Sequence, residues 1–124
     1  MDIHVHAAWL GILAGLLAGV VQGLFFHRDD WQGGYASWPR RMVRLGHVSF
    51  FGIGFMNLAF AASVQLFEFA QPVVLTSWLL LAGAFSMPTV CYLSAWRKPM
   101  RHLFAVPVLC LVVGVLWFLF AGMR

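Results

Sequence analysis

Acidic side chains are almost missing from this sequence. Only Asp2, Asp29, Asp30 and Glu68 occur in 124 residues, and all charged residues together make up 10%. A soluble domain carries about 25%. None of the four acids falls inside a long apolar run, which removes the buried carboxylate that proton-coupled transporters and proton relays use. Paired carboxylates for acid–base hydrolysis are missing as well, no Ser–His–acid set is visible, and there is no HExxH zinc motif.

Cysteine is scarce too. Cys91 and Cys110 both sit in apolar runs, so no disulfide framework is expected. The opening MDIHVHAAW lacks the positive region of a signal peptide, and no small-residue cleavage pattern follows. The first apolar run is therefore expected to stay in place as a membrane span.

What remains is apolar. Hydrophobic residues make up 62% of the chain, arranged as four runs at about 7–27, 42–67, 72–96 and 103–122. Each is long enough to cross a hydrocarbon core of ~30 Å at 1.5 Å per residue. The reading is a single all-α integral membrane domain over residues 1–124, an up-down four-helix transmembrane bundle. The connections agree. HRDDWQGGYASWPRR is polar and turn-rich, whereas EFAQP is so short that the second and third helices must be antiparallel neighbours.

Seven of the eight Lys and Arg residues fall in the first and third connections, and only Arg124 lies elsewhere. By the positive-inside rule, the basic loops 28–44 and 97–102 face the cytoplasm. Both termini and Glu68 then face outward, in a cell (inner) membrane. The net charge of +4 is thus a topology signal, and the expected partner is the lipid bilayer, with no nucleic acid. Trp31, Tyr35, Trp38 and Trp96 gather at the inner ends, and Trp9 and Trp117 near the outer ones, as interfacial belts.

Glycine is distributed unevenly. Gly11, Gly15, Gly19 and Gly23 recur at helical spacing in GILAGLLAGVVQG. In lipid, small residues let backbones approach closely, so this face is a packing seat. Its occupant is a neighbouring helix, within the chain or from another subunit, or a flat cofactor lying over Gly15 and Gly19.

Histidine is the one residue type left to carry chemistry inside the spans. His47, in RLGHVSFFGIGFMNL, lies one to two turns inside the second span, with Phe50, Phe51 and Gly54 on its helical face. An imidazole there suits an axial ligand to haem b, with Arg28, Arg40, Arg41 and Arg44 near enough for the propionates. For the second ligand, His27, His102 and Met87 are the candidates by depth. Met87, Cys91 and Cys110 form a weaker soft-ligand set suited to copper(I). His4 and His6, two apart on an extended terminus, would face together as an outer-face metal site. A quinone head group could also bond to His47, Asn57 or Gln22.

Two functional readings follow. The first is a small membrane electron-transfer protein or subunit of a respiratory complex, binding haem b through His47. The second is a cofactor-free accessory subunit that packs by its glycine-rich first helix against a larger membrane complex or a second copy. Neither makes the chain catalytic on its own.

Overall fold

The computed structural model describes residues 2–69 and 73–122. The expected start of the third span at Pro72, part of the EFAQP connection, and Arg124 lie outside the described residues.

All regular structure among the described residues is helical. The main helices are α1 (Asp2–Phe25), α2 (Trp38–Leu66), α3 (Val74–Trp96) and α4 (Ala105–Trp117). A tight helical turn over Lys98–Phe104 leads into α4, and a wider turn over Phe118–Gly122 prolongs it. Four stretches are long and apolar enough to cross a membrane: Asp2–Phe25, Trp38–Leu66, Val74–Trp96 and Lys98–Phe120. The protein is thus a four-helix membrane protein by length and composition.

The first helix begins at Asp2, five residues before the expected edge at residue 7. The polar HVH segment joins the helix because its first histidine finds hydrogen-bond partners on α2 and α3. The second helix also starts early, at Trp38, where Ser37 caps it by accepting from the Arg40 amide at 3.3 Å. The Ser37 hydroxyl donates in turn to the Gln32 carbonyl at 2.6 Å, tying the cap to the loop. Gly33 and Gly34 take φ of +86° and +99°, left-handed values that a side chain resists, and so close that loop.

One arginine organises the same connection. Arg40 is 5% exposed, although no carboxylate pairs with it among the described residues. Its guanidinium donates to the Phe26 carbonyl at 3.0 Å and the Arg28 carbonyl at 3.4 Å. Those carbonyls lie just past the end of α1, where a cation complements the negative end of the helix. The rings of Phe26, Trp31 and Tyr35 stand within 5.2 to 5.9 Å of the charge. Cation–π attraction and two carbonyls together offset part of the burial of the charge, while the buried Nε has no partner.

α2 and α3 form the centre, with α1 against α2 and α4 against α3. The contacts pair particular helix ends. Trp38, opening α2, donates to the Ser94 carbonyl late in α3 at 2.8 Å. Thr76, early in α3, donates to the Gly114 carbonyl of α4 at 3.2 Å. Leu13, Leu16, Leu17 and Val20 on α1, and Val106, Leu109, Val112 and Leu116 on α4, are exposed. Such faces suit contact with lipid tails.

The glycines of α1 seat α2. A Cβ on Gly11 would stand 3.2 Å from the Phe50 carbonyl oxygen, and one on Gly54 would stand 3.2 Å from that of Ala8. The two backbones therefore meet at a mutual glycine contact. One and two turns further along α1, Gly15 and Gly19 receive the rings of Phe51 and His47. Gly23 faces open space. The occupant of the glycine groove is a helix of the same chain.

Candidate functional site

His47 is positioned by this seat. Its ring fits where Gly19 has no side chain, and a Cβ there would lie 2.8 Å from its Cε1. Phe51, one turn on, meets the imidazole edge-on with ring centres 5.3 Å apart. The Nδ1 atom of His47 is buried and has no hydrogen-bond partner. An unsatisfied polar atom within a membrane helix costs free energy, and such residues are commonly functional.

None of the expected second ligands is brought to His47. His27 is exposed in the turn after α1, and lies eight residues beyond Gly19, about 12 Å at helical rise. His102 is exposed in the Lys98–Phe104 turn. Met87 lies four residues from both Gly83 and Cys91 and shares their face of α3. That face meets Leu111 of α4 at Gly83 and Gly46 of α2 at Cys91. His47 is turned the other way, onto α1.

The arginines at the basic end of the molecule are engaged by the chain itself. Arg40 is enclosed as described, Arg44 donates to the Tyr35 carbonyl at 3.0 Å, and Arg41 lies 5.8 Å from the Trp38 ring. Cys91 is buried against Gly46, and Cys110 is half-buried on α4. Among the described residues, no three His, Cys, Asp or Glu side chains gather as a metal site.

His4 and His6 separate. Two residues apart on a helix they point in nearly opposite directions, about 200° around the axis. His6 is exposed and bonds through Nδ1 to the Asp2 carbonyl at 2.7 Å. His4 is fully buried. The outer-face pair expected from an extended terminus does not form, because the segment is helical.

His4 instead joins three helices. Its Nδ1 lies 2.7 Å from Asn57 Oδ1 on α2, and its Nε2 lies 2.6 Å from Ser77 Oγ on α3. The directions follow from Asn57, whose Nδ2 donates to the Ile53 carbonyl at 2.9 Å. With that amide nitrogen committed, Oδ1 must accept from His4 Nδ1–H. A neutral imidazole then accepts at Nε2 from the Ser77 hydroxyl. Phe60 closes the cluster edge-on at 4.7 Å.

The order Ser77, His4, Asn57 resembles a nucleophile, a base and its orienting group. Asn57 carries no charge to stabilise an imidazolium, and the base is wholly enclosed. The cluster acts as a clasp that joins α1, α2 and α3. A matching contact near the other end of α1 runs from Gln22 to the Tyr92 hydroxyl at 3.4 Å. Asn57 and Gln22, offered by the sequence as quinone partners, both serve the packing of the chain.

No family model, curated protein or solved structure matches the chain.

Proposed function

We propose that this chain is a small subunit of a membrane redox complex. In this reading it crosses the inner membrane four times, up and down, with loops 28–44 and 97–102 in the cytoplasm. The observation that carries the proposal is the buried Nδ1 of His47, unpaired in a helix able to span the membrane. A haem b ligated by that imidazole would carry one electron at a time, with the potential set by its second ligand. Since His27, His102 and Met87 do not face His47, the second ligand belongs to a partner chain. The same dependence makes the protein a subunit rather than a free-standing cytochrome. A quinone is the natural membrane-soluble partner for such a centre.

The filled glycine face favours a second reading. Phe51 and His47 occupy the space over Gly15 and Gly19, so no flat group lies there; in this reading the chain is a cofactor-free accessory subunit whose partner docks elsewhere than on those glycines. A reduced-minus-oxidised absorption spectrum separates the two. The protein is purified in mild detergent with its partners retained and haem supplied during expression. The redox reading expects a Soret band and sharp reduced bands, lost in His47→Ala and kept in His27→Ala and His102→Ala. A featureless spectrum from folded protein that retains its partners overturns it and leaves the accessory reading.

A further inference from the structure

The basic end of the molecule holds cations that no carboxylate neutralises. Among the described residues the one ion pair is Arg28 with Asp30, at 4.0 Å. Lys98, Arg101 and His102 line a cavity of about 320 Å³ with Pro99, in the turn that joins α3 to α4. All three side chains are exposed.

Their surroundings fix the depth of that cavity. Lys98 Nζ lies 5.4 Å from the Trp38 ring, whose other cationic neighbour is Arg41 at 5.8 Å. Trp38 is itself held to α3 through the Ser94 carbonyl. Arg97 lies 5.0 Å from the exposed Trp96 ring. Tryptophans of this kind mark the level of lipid head groups. The cations therefore lie level with phosphate.

The apolar surface continues from the cavity along α4. Val106 and Leu109, four and seven residues past His102 in the chain, are neighbours on one face of α4, and both are exposed. A ligand with an anionic head and long apolar chains would meet cations at one end and aliphatic side chains at the other. A free phosphate would use only the first half of this surface.

We infer that Lys98, Arg101 and His102 form a binding site for the phosphate head group of an anionic phospholipid, whose acyl chains lie along Val106 and Leu109. The inference rests on the membrane-spanning helices and is independent of any cofactor at His47. Clusters of cations beside a membrane helix recognise anionic lipids through this chemistry, each Lys or Arg contributing a preference of roughly fivefold.

The full chain in detergent would be titrated with phosphatidylglycerol or phosphatidylcholine of the same acyl chains, and bound lipid counted by native mass spectrometry. Binding of phosphatidylglycerol should exceed that of phosphatidylcholine at least fivefold. The triple variant Lys98→Gln, Arg101→Gln, His102→Gln should bring the two lipids level, whereas Arg28→Gln should keep the preference. Lys98→Arg, which preserves charge, should keep it as well and guards against a folding defect. Equal binding of the two lipids to the native chain overturns the site. So does a preference that survives the triple variant, or one that millimolar inorganic phosphate abolishes, since the last outcome marks a site for the free ion.

Discussion

Gly15→Leu is expected to break the contact between α1 and α2, lowering stability by roughly 2–3 kcal/mol, the upper range for overpacking. The cause is local. A Cβ at this position would stand 2.7 Å from the Phe51 ring, and the rest of a leucine side chain would have to enter the same space. Phe51 also meets the His47 ring edge-on, so a shift of Phe51 disturbs that contact. Gly19→Leu should act in the same direction by displacing His47 itself. Leu16 is the matched control, since it is 57% exposed and turned about 100° around the helix from Gly15. Its change to alanine should stay within about 0.5 kcal/mol. Thermal unfolding in detergent reads all three. Normal stability in both glycine variants would mean that α2 does not occupy the groove.

Removing His4 should have an effect of comparable size. His4→Ala strands Asn57 Oδ1 and the Ser77 hydroxyl and opens a void beneath Phe60. An unsatisfied buried polar group costs about 1–3 kcal/mol, and hydrogen bonds between membrane helices average about 0.6 kcal/mol each. A total loss of roughly 2–3 kcal/mol follows. Asn57→Leu removes the orphaned acceptor, so the double variant should be more stable than the sum of the single changes implies. A coupling of about 0.5–2 kcal/mol in that cycle would place the two side chains in one network. Strict additivity would show that they do not interact.

The contrast between these two regions explains what could be read from the sequence. Long apolar runs and their spacing are local properties, so the four helices were legible, whereas α1 and α2 begin five and four residues before their expected edges. The recurrence of Gly11, Gly15 and Gly19 marked one face of α1 as a packing seat, and α2 fills it. Spacing carries no information about which helix answers, so the identity of the occupant was not legible. His47 stood out because an imidazole within an apolar run is costly wherever its helix packs. The clasp at His4 joins residues 53 and 73 positions apart, a separation that no periodicity reports. A usable signal did exist. With α1 antiparallel to α2, His4 and Asn57 fall at similar depth, and each is a polar group needing a partner.

Arg40 teaches the same lesson from the loop side. Its charge was legible in the sequence as one of a basic cluster. Its burial under Phe26, Trp31 and Tyr35 depends on how Gly33 and Gly34 turn the connection, which only the folded chain reveals.

The proposal of a four-pass chain with cytoplasmic basic loops depends on sidedness. The deciding measurement is labelling with a membrane-impermeant maleimide of single-cysteine variants in which Cys91 and Cys110 are replaced by serine. Asp29→Cys and Pro99→Cys probe the basic connections, and Phe67→Cys probes the exposed end of α2. In sealed spheroplasts Phe67→Cys should label, while Asp29→Cys and Pro99→Cys should label only after the membrane is permeabilised. The reverse pattern, or labelling of all three sites from one side, would contradict a four-pass chain with its basic loops in the cytoplasm.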